Sequence, residues 1–337
     1  MSPSKTQRGK FAKEKNFLVI IPVHNSKEAT QKLLKHFEKL QPEVRLKNIL
    51  IVDDGSTDGT NKSIKKAFPK VSVLRGNGSL FWTGAIKAGM AYAIKRNYKQ
   101  VFWLNHDCLP NKGAITKIRA ALEERIGDCI SGWCYVAGAR KYPVNPGFLN
   151  CKKIGLEKLN QKKFVIADGV NGNFVGFRRD AIQKAGLPDE KKYPHYGDGP
   201  YTFKISKKGL VVGILPTARA SLNYEIERRL SPFWRVCISD KPIRQWIKYY
   251  FLDIRSPYHF RNKLYLNIQL QGSKGALSYL AKEIAVASQI IAGAIIRRCL
   301  PARHTIRLFL LFKKNKIPTP LFFTELKALG LDPPIKG

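Results

Sequence analysis

The chain has 337 residues, 44% of them hydrophobic and 11% aromatic, and 60 Lys+Arg against 24 Asp+Glu give a formal net charge of +36. A chain this apolar buries a sizeable core, which excludes a disordered tail, and its length suits one large domain or two smaller ones. Charge of this size calls for a polyanionic partner: nucleic acid, an anionic membrane surface or phosphorylated substrates.

Residues 1–15 read as a basic, polar, mobile tail. The apolar run at 17–23 is too short for a signal peptide and leads into Pro22-Val23-His24-Asn25 rather than a small-residue cleavage site, so it is read as a buried parallel strand. Helical spacing follows at 27–40, then a second buried strand at 48–52 that ends in Asp53-Asp54-Gly55-Ser56-Thr57-Asp58-Gly59. A helix at 61–68, with Ser56 or Asp58 near its N-cap, precedes a strand at 71–74, the turn Gly76-Asn77-Gly78, a helix at 84–96 and a fourth strand at 100–105. Strands are expected at 130–137 and 163–166, separated by a long Pro/Gly/Lys/Asn-rich loop at 138–162. The segment 170–177 leads into a short helix at 179–185. A loop at 193–200 carries His195 and Asp198, and a helix at 201–208 and a strand at 210–215 follow. Alternating strands and helices with short connections predict an α/β domain with a mainly parallel sheet covered on both faces, which binds ligands outside the carboxyl ends of its strands. After about residue 225 the pattern gives way to helices in which basic and aromatic residues interleave. No stretch reaches the roughly 20 apolar residues of a membrane-spanning helix; residues 284–296 come closest. Six cysteines at irregular intervals, with no C-x-x-C pair, indicate neither a zinc cage nor a disulfide framework, so a reducing compartment is the default.

The chemistry lies at the predicted strand ends. Adjacent carboxylates before Gly-Ser-Thr-Asp are in isolation most simply a helix-capping turn. A second acidic site, Asn105-His106-Asp107, closes the fourth strand of the same sheet, so two acidic clusters face one crevice on an otherwise basic protein. Carboxylates held together need a counterion, and Mg²⁺ or Mn²⁺ bridging them to a substrate diphosphate suits the arrangement.

Pro22-Val23-His24-Asn25, the acidic turn 53–58, Gly84-Ala85 with Gly89, Asn105-His106-Asp107 and Tyr196-Gly197-Asp198-Gly199, in this order, resemble the family-2 inverting glycosyltransferases of GT-A fold. The segment from Gly76 to Ala85 looks like that of the bacterial rhamnosyltransferase-type members. The resemblance covers residues 16 to about 225 and implies that Pro22, His24, Asp53 and Asp54 hold the base and ribose of a nucleotide sugar. It makes Asp107 the metal-binding end of a D-x-D motif whose first position is Asn105. Asp198 becomes the general base, with His195 as the competing one. Gly172, Asn173 and Gly176, followed by Arg178 and Arg179, match the segment beneath donor sugar and acceptor, and Gly84 and Lys87 join the donor site, Lys87 replacing a usual Asn and set to reach a phosphate. Gly197 stands where Glu commonly precedes the base, Pro200 where a second Asp often follows, and Asn223 where a metal-binding His is usual. Trp82 is read either as a stacking platform or as core.

The implied partners are a UDP-, dTDP- or GDP-linked sugar, a divalent metal ion, and a saccharide or lipid-linked acceptor, with a role in cell-surface polysaccharide assembly. Residues 226–337 are expected to form a basic helical region that caps the 16–225 domain, docks on an anionic membrane surface, or both, which predicts a cytoplasmic protein peripheral on the membrane face. A nucleic-acid binding role is permitted by charge, but no RNA-recognition, KH, zinc-finger or helix-turn-helix signature is present. A sugar-1-phosphate nucleotidyltransferase would need a Gly-rich phosphate loop with a basic residue after the first strand, which residues 22–25 do not supply.

Overall fold

The structure, a computed structural model, describes residues 15–40, 44–137, 139–144, 146–150, 152–160, 163–222, 231–237, 241–253 and 259–299. The basic tail, Asn223 and everything after Cys299 lie outside them. The chain divides into two compact units, Met1–Cys134 with Asn145–Ala220, and Tyr135–Val144 with Ser221–Gly337. The sequence reading places residues 135–144 with the first; they group instead with the second, and within that segment Tyr135 and Val136 pair with Pro143 and Ala139.

In chain order the first unit and the hairpin contain β1 (Lys15–Val23), α1 (Lys27–Leu40), β2 (Ile49–Asp53), α2 (Thr60–Ala67), β3 (Ser72–Arg75), α3 (Phe81–Lys95), β4 (Tyr98–Leu104), β5 (Cys108–Pro110), α4 (Ala114–Glu123), β6 (Cys129–Val136), β7 (Ala139–Pro143), β8 (Phe148–Leu149), β9 (Lys152–Lys153), α5 (Leu156–Asn160), β10 (Val165–Ile166), β11 (Phe174–Arg178), α6 (Arg179–Ala185), α7 (Asp198–Lys207) and β12 (Val212–Leu222). Among the described residues ten strands form one sheet, ordered β10-β12-β6-β11-β4-β1-β2-β3, with β5 beside β12 and β7 beside β6. Strands β4, β1, β2 and β3 are mutually parallel, and β11 runs antiparallel to both β4 and β6. This is the mixed sheet with packed helices that the motif resemblance implied, but it is not mainly parallel: the parallel block β4-β1-β2-β3 is followed by the antiparallel pairs β4–β11, β11–β6, β6–β7 and β10–β12.

The continuous apolar runs become central strands because both faces are covered: every residue of β2 and of β6 is buried, and Lys99 alone is exposed in β4. Helix α1 buries Leu33, Leu34 and Phe37, one stripe at helical spacing. Helix α3 lies close against β1 because Gly89 has no side chain; a Cβ there would collide with Ile20.

Three expectations change. The 138–162 loop is broken into β7, β8, β9 and α5, whose short pairings carry too few apolar residues to show as periodicity. Helix α4, whose Ile115, Ile118, Ala121 and Leu122 form a buried stripe at helical spacing, and the three-residue strand β5 are additions to the predicted elements. Helix α7 begins at Asp198, three residues before the predicted start, since its first turn, Asp198-Gly199-Pro200, carries no apolar periodicity.

The second unit contains α8 (Pro232–Cys237), α9 (Ile243–Ile247), a π-helical turn at Lys248–Leu252, and α10 (Phe260–Cys299), kinked at Gly272. Val236, Tyr250 and Ile290 centre its core. The apolar stretch at 284–296, too short by itself, belongs to this 40-residue helix, which by length and composition is long and apolar enough to cross a membrane.

Candidate active site

The carboxyl ends of β1, β2, β3 and β4 carry, in order, His24, Asp53 with Asp54, Gly76, and Asn105 with Asp107. The two adjacent carboxylates do different things. Asp54 uses both oxygens on the chain: Oδ1 accepts the Gly78 amide at 2.8 Å and Oδ2 the Phe81 amide at 2.9 Å. It therefore fixes the turn between β3 and α3, and Gly55 lets the two loops meet, because its φ is +66° and a Cβ would lie 2.7 Å from the Gly78 nitrogen. Asp53 is fully buried. Its Oδ1 accepts the Ser56 amide at 3.0 Å, while its Oδ2 has no hydrogen-bond partner among the described residues. A buried carboxylate oxygen of this kind calls for an N–H or O–H from a ligand or water.

His24 Nδ1 sits 2.6 Å from the Asp54 carbonyl oxygen. The neighbouring loops are latched: Asn25 N–H donates to Ser56 Oγ, and Asn25 Oδ1 accepts the Thr57 amide. Asp58 accepts the Lys27 and Thr60 amides and the Thr60 hydroxyl rather than capping α2 through a later turn. Burial pushes its carboxyl up, but those three hydrogen bonds outweigh it and hold it below the ordinary carboxylate range. Pro22 is buried within β1 opposite Val52.

The far wall is built by the segment before β11. Gly172 N–H donates to Asp198 Oδ2 at 2.6 Å, and Asn173 Oδ1 accepts Asn105 Nδ2–H at 2.9 Å while its carbonyl accepts the Asn105 amide at 3.0 Å. Trp82 Nε1–H completes the chain by donating to Asn105 Oδ1 at 2.9 Å. Two residues thus tie the carboxylate at the start of α7 to the end of β4, with the indole as backing. Of the two roles the sequence left open for Trp82, the structure shows the core one, with its ring packed edge-on to Trp103, and adds an N–H that orients a site residue. Gly172 faces the same group closely; a Cβ there would lie 2.6 Å from Trp82 Cη2 and 2.8 Å from Asp198 Cβ.

The loop leading to Asp198 is clamped onto α3. Thr83 N–H donates to the Pro194 carbonyl, Gly197 N–H donates to Thr83 Oγ1, and His195 lies between the rings of Phe81 and Tyr196, at 5.3 and 5.8 Å. Gly84, in the first turn of α3, leaves ordinary van der Waals room before Glu190. Lys87 does not stand alone: its ammonium pairs with Glu190 at 2.6 Å, a partner no sequence pattern announced. Burial raises the Glu190 carboxyl, and the Lys87 hydrogen bond and charge overcome this and bring it below its usual range. A carboxyl depressed in the folded state stabilises above its unfolded pKa, and that contribution is lost as pH falls through the folded value. With both side chains about a third exposed, Lys87→Met is expected to lower unfolding free energy by less than ~1 kcal/mol, a difference that fades in chemical denaturation as pH falls through the lowered folded value of Glu190.

Gly176 is a correction. It lies mid-strand in β11 opposite Phe102, and its missing side chain makes room for Ile118, Phe102 and Leu122 in the core rather than for a sugar. Arg178 and Arg179 likewise face away into structural bonds, the former with Asp128 and Asp180, the latter with Asn97.

Asp107 is half-buried in the turn after β4, and among the described residues its carboxylate has no hydrogen-bond or ion-pair partner. No group of three or more His, Cys, Asp or Glu comes together among the described residues. One available carboxylate fits Mg²⁺ or Mn²⁺ that takes its other ligands from diphosphate oxygens and water; it does not fit a resident structural ion.

A profile described as "Glycosyl transferase family 2" matches residues 18–186, half of the chain. An uncharacterized protein of Methanocaldococcus jannaschii is 31% identical over 134 residues, which is 38% of this chain and 54% of that protein, so the match spans about half of the relative's length. Two solved structures share the fold: GalNAc-T7 crystallised with UDP, GalNAc and Mn²⁺ (TM-score 0.54, 14% identity, 79% of this chain and 55% of that one), and the Pyrobaculum calidifontis mannosyltransferase with GDP-Man and Mn²⁺ (TM-score 0.52, 15% identity, 94% and 84%).

Proposed function

The chain belongs to glycosyl transferase family 2, and from that premise we propose that it is an inverting glycosyltransferase that moves a hexosyl or rhamnosyl residue from a nucleoside diphosphate to a hydroxyl of a saccharide or lipid-linked acceptor in cell-surface polysaccharide assembly. The observation that carries the reading is the Gly172–Asn173 bridge, bonded at one end to Asp198 and at the other to Asn105, beside Asp107 at the carboxyl end of β4. It ties the Asp198 carboxylate to the end of β4, whose following turn carries Asp107, which supports a shared site. The GT-A neighbours, one with UDP and one with GDP-Man, and both with Mn²⁺, support a nucleotide-sugar donor and a divalent cation.

Asp53, buried with one uncommitted oxygen, receives an N–H or O–H of the nucleoside, and His24 closes the same pocket at the end of β1. Asp107 holds the cation, which when bound screens charge on the departing diphosphate. Asp198 accepts the proton of the acceptor hydroxyl as its oxygen attacks the anomeric carbon. One C–O bond forms as the C–O bond to phosphate breaks on the opposite face, so the configuration inverts and the nucleoside diphosphate leaves with the electron pair. Asp198 keeps its geometry through the Gly172 amide, and Trp82 and Asn105 keep Gly172 in register.

The test is a thermal-shift and calorimetric screen of UDP-, GDP- and dTDP-sugars with Mg²⁺ or Mn²⁺; if none binds, the assignment fails. A narrower expectation concerns the cation. With one protein carboxylate, Mn²⁺ binds the protein alone with a Kd of about 1 mM or weaker and tightens at least ~10-fold when the matching nucleoside diphosphate is added, measured by electron paramagnetic resonance of free Mn²⁺. Micromolar binding without nucleotide would contradict a single-carboxylate site.

A further inference from the structure

Helix α10 is apolar on two opposite sides. After the kink, Gly275, Tyr279, Ile290 and Gly293 are buried, and Gly293 lets α8 approach so closely that a Cβ there would lie 2.7 Å from the Phe233 carbonyl oxygen. Turned by about 180° on the helical wheel, at 100° per residue, stand Leu277, Leu280, Ile284, Ile291 and Ile295. These are among the most exposed large apolar residues of the protein: Leu277 and Ile284 at 69%, Ile291 and Ile295 at 56%. Their three-, four- and seven-residue intervals keep them on one line of about 27 Å. A core helix needs only the first face.

The chemistry around the stripe identifies what meets the second. Exposed Lys274 and Arg298 lie beyond its two ends, and Glu283, the helix's single acidic residue, is turned toward Tyr279 on the buried side. Basic residues also greatly outnumber acidic ones from Arg228 to the C-terminus. A second copy of the chain would bring like charge against like charge with +36 on each partner. An anionic bilayer meets both the aliphatic line and the cations.

We infer that α10 docks in the plane of a membrane surface, with Leu277, Leu280, Ile284, Ile291 and Ile295 inserted at the headgroup–acyl boundary and the flanking basic residues on anionic headgroups. The helix lies flat because its other face is already held by α8 and Tyr250, which bars lipid from surrounding it.

The test uses the full chain in vesicle flotation, with phosphatidylcholine alone or mixed with phosphatidylglycerol. The wild type floats with the anionic vesicles, less so at high salt, and the triple variant Leu277→Ser/Ile284→Ser/Ile291→Ser loses at least ~100-fold in partitioning. Ile166→Ser, which removes an equally exposed isoleucine from β10, leaves partitioning unchanged. Circular dichroism and thermal melting follow the fold of each variant; should the triple fail to fold, Leu277→Ser and Ile291→Ser singly each lower partitioning by ~3-fold or more. Hydrogen exchange across residues 277–295 slows when vesicles are added. Wild-type flotation unchanged by the substitutions, equal binding to neutral vesicles, flotation without protection of 277–295, or a wild-type dimer that the triple variant turns into a monomer would each overturn the inference.

Discussion

Asp198→Asn lowers sugar transfer by about a thousandfold and leaves donor binding as it was. The substitution is nearly isosteric, and the replaced group sits in the first turn of α7 with Oδ2 on the Gly172 amide at 2.6 Å. An asparagine oxygen accepts the same hydrogen bond, so the loop keeps its place while the group that takes the acceptor proton is gone. A deprotonated acceptor hydroxyl is otherwise scarce near neutral pH, and general-base assistance contributes roughly 10²–10⁴ in rate. The measurement is kcat for transfer beside the donor Kd by calorimetry, and retention of full transfer would remove Asp198 from the base role. His195→Gln is the companion variant. The imidazole packs against the Phe81 and Tyr196 rings, and its loss changes kcat by less than ~10-fold if Asp198 is the base.

Gly172→Ala is the second large effect, and it works through geometry alone. The residue is small and its neighbours are close: the new methyl group would meet the Trp82 ring at 2.6 Å and Asp198 Cβ at 2.8 Å. Something must shift. Trp82 is held by Trp103 and by its bond to Asn105, so the movement falls on the Gly172 segment and on Asp198. Displacing a catalytic group by about 1 Å costs on the order of 10²-fold in rate, and overpacking costs about 1–3 kcal/mol of stability. The expected result is a kcat loss of ~10²-fold with a lower melting temperature and a donor KM changed far less than kcat. Gly155→Ala, where a Cβ meets nothing within 4 Å, is the control and leaves both unchanged.

The parts of the molecule that were legible beforehand share a physical trait. Strands β1, β2 and β4 are buried on both faces, so their apolar runs stand out from any background, and the acidic residues at their ends stand out against a basic chain. Sequence adjacency of Asp53 and Asp54 suggested a shared task, whereas their carboxylates part company: one clamps the β3–α3 turn, the other is buried with one oxygen unpartnered among the described residues. Lys87 and Glu190 are 103 residues apart, and nothing local in either segment names the other. Gly176 misled because a glycine within a motif can answer to packing as readily as to a ligand; its neighbours, Phe102 and Ile118, come from other elements. The start of α7 was missed because a helix whose first turn holds Asp, Gly and Pro has no periodicity until it is under way.

The bridge between Asn105 and Asn173 joins residues 68 positions apart, whereas Gly172 and Asp198 are separated by only 26. On a ribosome the nucleoside half of the crevice, through Asp107, is therefore made long before the base, and β11 must dock on β4 before the two halves meet.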